Sequence, residues 1–251
     1  MRNGLRVYDA HAHIGAAHHS GWRYSAGDLL RDMDRGGVDR ALAIPFPVVE
    51  DFRQAHDEIG RAVSAHRDRL SGAACLPAYL PEPVFRDELR RVVETYGFTA
   101  LKFQPQYQPM NPVSPRTAHL FEAALELGLV FVAHTGAGVP FALPSAFMLP
   151  ARRYPELPLV LAHAGGGLFF QEAIVAASFC PNIYLELSTL LPHQVAEVVA
   201  QVPSSRLMIG SDLPANLDME IGKISEAAIS NEARADILWN TASRLFDGSP
   251  R

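Results

Sequence analysis

Two histidines separated by one residue on an extended segment can close on a single metal ion, and Asp9-Ala10-His11-Ala12-His13 has that form. In a strand, side chains two apart share a face and lie about 7 Å apart, a gap that two inward-leaning imidazoles can close. Neutral imidazole nitrogens then bind a divalent transition metal at roughly 2.0 to 2.1 Å. The pair alone also describes a polar strand end, so the rest of the chain has to decide. His134 follows Phe131-Val132-Ala133, His163 follows Val160-Leu161-Ala162, and Asp212 closes Met208-Ile209-Gly210-Ser211-Asp212. Each is a polar residue that terminates an apolar run.

The elements that must bring these residues together are legible as an alternation. Strand candidates are 5–9, 41–45, 72–76, 99–103, 129–133, 159–162, 183–187 and 207–209. Helical patterns fall between them at 25–35, 52–66, 83–96, 116–127, 167–177, 192–201 and 220–228. Ser25 reads as an N-cap, Asp28 as a first-turn acid and Gly36-Gly37 as the stop. Pro140, Pro144 and Pro150 break the region after the fifth strand into a long loop with a short helix. The tail 232–246 is helical again, with Ile237, Leu238, Ala242, Leu245 and Phe246 able to cover one end of a core.

Strand then helix, repeated, predicts parallel strands with helical crossovers, an α/β fold. Eight units of about 31 residues match a single (β/α)8 TIM barrel with a C-terminal helix, one domain over residues 1–251. A doubly wound sheet is the competitor, but the GxGxxG turn of its dinucleotide-binding form is absent after the first strand. In a barrel the C-terminal strand ends surround one pocket. His11, His13, His134, His163 and Asp212 recur in phase with the βα units and therefore converge there.

The chain has 251 residues, ten of them histidine, with a formal charge of −5, 48% hydrophobic and 20% charged residues. That composition excludes global disorder. A pI near 6.0 without a Lys/Arg stripe leaves no electrostatic footprint for nucleic acid or an anionic membrane. Cys75 and Cys180 stand alone, which argues against a disulfide framework or a Cys-based metal site. The first apolar segment is too short for a signal-peptide core and no stretch is long enough to span a bilayer, so a cytoplasmic protein is expected.

Of the remaining histidines, His56, His66, His119 and His193 fall on helical patterns, where solvent-exposed or interhelical roles are the default, and His18-His19 lie in a loop. Gly165-Gly166-Gly167 reads as a sharp turn beside His163 rather than as a phosphate loop, and Ser211 lacks a GxSxG elbow.

As a set, Asp9-x-His11-x-His13, Ala100-Leu101-Lys102-Phe103, His134-Thr135-Gly136, Leu161-Ala162-His163-Ala164-Gly165-Gly166, Gly210-Ser211-Asp212 and Asn240-Thr241-Ala242-Ser243-Arg244-Leu245-Phe246 resemble the amidohydrolase superfamily. The resemblance covers nearly the whole chain and points to the amidohydrolase-2 group, which includes aminocarboxymuconate-semialdehyde decarboxylase and related hydrolases. It implies that His11, His13, His134 and Asp212 bind one divalent metal, most often zinc, with Mn2+ as an alternative. His163 is then the acid or base beside the metal-bound water, and Asp212 a proton acceptor as well as a ligand. Some superfamily members carbamylate a fourth-strand lysine to bridge two metals, but the run Leu101-Lys102-Phe103-Gln104-Pro105 looks more like the mononuclear group. Gln104 departs from the histidine that relatives often carry there.

Lys102, Gln104 and Trp22 are the substrate-binding candidates, and an ion pair with Asp9 is the structural alternative for Lys102. The expected activity is metal-dependent hydrolysis of a small amide, ester or lactone. The alternative is non-oxidative decarboxylation of an aromatic or enoic acid, which requires a cation for the substrate carboxylate; Arg23 is the only arginine in the loops assigned to the mouth. A barrel that binds a ligand without catalysis is the third reading. The expected partner is a small-molecule substrate, and a homodimer is expected from the relatives.

Overall fold

Apolar, β-branched runs bounded by turn residues form strands because both faces of each are covered, one by the barrel interior and one by helices. The computed structural model describes residues 4–247 and contains nine strands among them. They are β1 Tyr8–Ala16, β2 Arg23–Tyr24, β3 Arg40–Pro45, β4 Leu70–Cys75, β5 Ala100–Phe103, β6 Val130–His134, β7 Leu159–Ala162, β8 Ile183–Glu186 and β9 Leu207–Met208. Sheet order is β2-β1-β3-β4-β5-β6-β7-β8-β9, with every pairing parallel except β1 with β2. The sheet curls until its ends meet: Ala10 N–H donates to Ile209 O at 2.9 Å, Asp212 N–H to His11 O at 2.7 Å, and His13 N–H to Asp212 O at 3.0 Å. The eight parallel strands make a TIM barrel.

Two features depart from the sequence reading. The first strand, expected over 5–9, runs instead through Ala16, so His11 and His13 lie inside β1. Pairing with β3 as far as Ile14↔Pro45 on one side, and with the Asp212 segment on the other, holds these residues extended. The second is β2, which folds back on Gly15 and Ala16 as a hairpin. Two residues carry no readable period, so it was invisible in the sequence.

The helices are α1 Ala26–Gly36, α2 Phe52–Ala65, α3 Glu82–Tyr96, α4 Ala118–Glu126, α5 Met148–Arg153, α6 Gly166–Phe179, α7 Pro192–Gln201, α8 Leu217–Glu226, α9 Asn231–Ala235 and α10 Thr241–Phe246. α1 begins with the expected cap: Ser25 Oγ accepts from Asp28 N–H while the Asp28 carboxylate accepts from Ser25 N–H. It ends at Gly37, whose φ of 71° is a left-handed conformation that costs glycine little. The short α5 in the proline-broken region and the helical tail also match expectation.

The outer core lies between strands and helices and includes Leu29, Phe85, Phe121, Leu159 and Val195. A second cluster fills the barrel floor, where Tyr8, Leu42, Val132, Val160 and Met208 meet Ala242 and Phe246 of α10. The C-terminal helix therefore plugs the end of the barrel opposite the strand C-termini. No helix among the described residues is long and apolar enough to cross a membrane.

Candidate metal centre at the barrel mouth

A parallel barrel delivers one residue from each strand end to the same space. His11 and His13 come from β1, Lys102 from β5 and His134 from the last position of β6; His163 directly follows β7, and Asp212 pairs beside Ala12. His11 Nε2 lies 3.1 Å from His13 Nε2, and Asp212 Oδ1 lies 3.5 Å from the first and 3.8 Å from the second. His163 Nε2 is 3.8 Å from the same carboxylate oxygen. The His163 ring packs against those of His11 and His134 at centroid distances of 5.0 and 4.8 Å.

Local packing explains these positions. Asp9, which is not at the metal-type cluster, accepts from Ser211 N–H at 2.9 Å and Ser211 Oγ–H at 2.6 Å, tying β1 to the segment that carries Asp212. Thr135 Oγ1 donates to Ala162 O and accepts from Gly165 N–H, fixing the turn that holds His163. Gly210 has no substitute: a Cβ there would meet His11 Cβ at 2.5 Å. His163 and Asp212 both have left-handed backbones, with φ of 65° and 61°. Non-glycine residues in that region cost about 1–3 kcal/mol each and concentrate at functional sites.

Removal from water dominates the electrostatics. Burial lowers His13 to about 3 and His134 to about 4, and it holds His11 and His163 well below the ordinary histidine value. The Lys102 ammonium adds to this at His11, His13 and His134. Burial pushes Asp212 up to about 6 against the pull of Lys102, and lowers Lys102 itself to about 8. Burial also raises Asp9 to about 7, although Ser211 and the His11 N–H oppose it. The imidazoles are thus neutral at pH 7, the form that binds metals.

The donor set fits a cation. His13 Nδ1–H donates to Pro45 O at 3.0 Å and His11 Nδ1–H to Glu186 Oε2 at 3.2 Å. Both Nε2 atoms therefore present bare lone pairs to each other at 3.1 Å, beside a carboxylate oxygen, an arrangement that a bound cation satisfies. His134 stands apart from the converging atoms: its Nε2–H donates to Ala137 O at 2.9 Å, which leaves Nδ1 as its unprotonated nitrogen.

The other sequence candidates divide. Lys102 does not pair with Asp9, which Ser211 already engages; its Nζ donates to His11 Nε2 at 2.7 Å instead. Trp22 lines a cavity of about 250 Å³ next to His13, with Arg23, Tyr24, Phe46, Leu213, Pro214 and Ala215. Gln104 is half-buried at the end of β5 and is not among those walls. His18 faces Glu50 and His19 packs on Tyr107. His56 proves interhelical and fully buried, donating from Nδ1 to Glu88 and accepting Cys75 N–H at Nε2.

Sequence reasoning missed Glu186 and Ser188. Glu186 ends the apolar run of β8 in the same phase as His134 and His163 end theirs. Reading that strand through Leu187 placed the carboxylate inside it.

A parallel barrel with histidines and an aspartate converging at its mouth defines a class of metal-dependent enzymes, and comparison with known proteins agrees. The amidohydrolase family profile matches residues 8–248. The chain belongs to the amidohydrolase family, in the amidohydrolase-2 group. Similar solved structures include 4-oxalomesaconate hydratase from Rhodopseudomonas palustris, 18% identical with a TM-score of 0.74, covering 96% of this chain and 95% of that one. Another is 5-carboxyvanillate decarboxylase from Novosphingobium aromaticivorans, complexed with manganese and 4-hydroxy-3-methoxy-5-nitrobenzoic acid. It is 14% identical with a TM-score of 0.78, covering 97% and 96% of the two chains. A dihydroxybenzoic acid decarboxylase from Polaromonas, with manganese and 2-nitroresorcinol, is 16% identical with a TM-score of 0.75 and 97% coverage of both chains. No match is found among curated proteins.

Proposed function

We propose that this protein is a metal-dependent hydrolase that cleaves a small amide, ester or lactone at the barrel mouth. The observation that carries the reading is the meeting of His11 Nε2, His13 Nε2 and Asp212 Oδ1 within 3.8 Å of one another, next to an aromatic-walled cavity. These three residues, with His134 through Nδ1, would hold one divalent ion; three nitrogens and one oxygen suit zinc, with manganese as the alternative. When bound, the ion supplies Lewis acidity that polarises a carbonyl and acidifies water.

The protein supplies the rest. Trp22, Tyr24 and Phe46 line a largely apolar slot beside His13 that suits a flat substrate face. The His163 ring, beside Asp212, lies within reach of the reacting group, and Lys102 adds a buried positive charge near any developing oxyanion. Asp212, with Oδ1 turned to His11, His13 and His163, is placed to take a proton from water and pass it to the leaving group.

A second reading is favoured by one observation. Arg23 lines the same cavity, and it is the cation that a substrate carboxylate in a decarboxylation would need. Protein loaded with zinc or manganese and offered esters, lactones, amides and hydroxybenzoates separates the two. Hydrolytic product without carbon dioxide is the expected result, whereas carbon dioxide without hydrolysis replaces the first reading with the second. Retention of under about half an equivalent of metal after reconstitution would overturn both.

A further inference from the structure

Glu186 is buried at the end of β8 and accepts four donors. They are His11 Nδ1–H at 3.2 Å, Ser188 Oγ–H at 2.8 Å, His163 N–H at 3.1 Å and Ser188 N–H at 2.6 Å. Two backbone N–H groups and the serine hydroxyl make the carboxyl oxygens acceptors, so the contact with His11 is read as donation from Nδ1–H. Ser188 Oγ also lies 2.7 Å from His163 Nδ1. A hydroxyl has one proton to give. Once Ser188 has given it to Glu186, the contact with His163 must run the other way, from Nδ1–H to Oγ.

We infer that Glu186 sets the tautomers of two active-site histidines, His11 directly and His163 through Ser188, so that both present a bare Nε2 to the reaction space. Glu186 and Ser188 are positioning residues, because neither faces the cavity. For His163 the consequence is a choice between acid and base. A neutral ring protonated at Nδ1 has only a lone pair to offer at Nε2, which faces Asp212 Oδ1. His163 therefore enters the cycle as a proton acceptor, and it can donate from Nε2 only after it has received a proton there. For His11 the same carboxylate holds the ring in place and leaves Nε2 unprotonated, the lone pair that Lys102 Nζ meets at 2.7 Å and that a cation would take over. The backbone hydrogen bond from His163 N–H adds a third function, holding the left-handed turn at that residue.

The catalytic part of this inference rests on the proposed hydrolase reading; the tautomers do not. Protein labelled with 15N-histidine and loaded with zinc reports them in long-range 1H–15N spectra without turnover. In the unmodified protein the His163 pattern should be that of Nδ1–H. Ser188→Ala should move His163 toward the Nε2–H form while leaving His13 unchanged, and Ser188→Thr, which keeps the hydroxyl, should restore the original pattern. Zinc affinity, measured by competition with a chromophoric chelator, should fall about 10- to 100-fold in Glu186→Gln and remain unchanged in Ser188→Ala. Thermal melts of each variant separate loss of fold from loss of orientation.

An Nε2–H His163 in the unmodified protein would overturn the inference, as would a Ser188→Ala spectrum identical to it or an undiminished zinc affinity in a folded Glu186→Gln. If the tautomers are as stated but no ester, lactone or amide is hydrolysed, the functional reading fails and the relay stands.

Discussion

His11 and His13 share with His163 an Nδ1–H committed to an acceptor and an Nε2 aimed at the same carboxylate oxygen; what sets the pair apart is that they lie two apart on β1 with their Nε2 atoms 3.1 Å from each other. His13→Ala is therefore expected to abolish stoichiometric metal retention in elemental analysis, while His193→Ala, at an exposed position of α7, leaves it intact. Arg23 makes a separate prediction. If the substrate carries a carboxylate, Arg23→Ala should raise KM about 10-fold or more for that substrate, since a charge-assisted hydrogen bond contributes about 1.5–3 kcal/mol, and should leave neutral esters unaffected. Equal effects on charged and neutral substrates would assign Arg23 to wall packing alone.

Between elements, the clearest polar joint lies away from the mouth. His56 on α2, Glu88 on α3 and the N–H of Cys75 in β4 form one buried chain, which the half-buried Arg91 of α3 extends to Asp57 at 2.8 Å. Burial alone would raise the Glu88 carboxyl, but hydrogen bonds from His56 and Arg91 outweigh it and hold the group at about 2, below its ordinary 4.5. A depressed carboxyl stabilises the fold fully above the unfolded value and loses that contribution as pH falls through the folded one. The stability supplied by Glu88 is thus present above about 4.5 and disappears between there and about 2. Denaturant unfolding between pH 6 and 3 should show a smaller loss in Glu88→Gln than in the unmodified protein. A parallel dependence would show that other groups govern acid unfolding.

Across the whole molecule, the strand C-termini carry the chemistry and the opposite end carries closure. Phe246 and Ala242 of α10 complete the barrel floor, where the Tyr8 hydroxyl lies 2.9 Å from Ser71 Oγ and 3.2 Å from the Asp247 carboxylate. Phe246→Ala should cost about 3–5 kcal/mol by opening a cavity under the barrel. The expected result is a lower Tm with unchanged metal stoichiometry at 25 °C, measured by calorimetry and elemental analysis. Loss of metal in a still-folded variant would mean that floor and mouth are coupled more tightly than the layered core implies.

Periodicity made the barrel legible because the strands are short apolar runs, and some of them stop at the residue type the mouth uses, as β6 does at His134 and β7 just before His163. His134, His163 and Asp212 could be found that way, and the capping residues of α1 were legible because a cap is a local contact. The extent of β1 was not, since pairing with β3 and with the Asp212 segment, distant in the chain, keeps His11 and His13 extended. Nor could local sequence show that Ser211 takes Asp9 away from Lys102, or that Glu186 and Ser188 orient two histidines. The sequence by itself determined the alternation, and with it which residues reach the mouth. Only the tertiary structure decided the direction of each hydrogen bond among them, because an imidazole's tautomer is chosen by its partner and those partners come from other strands.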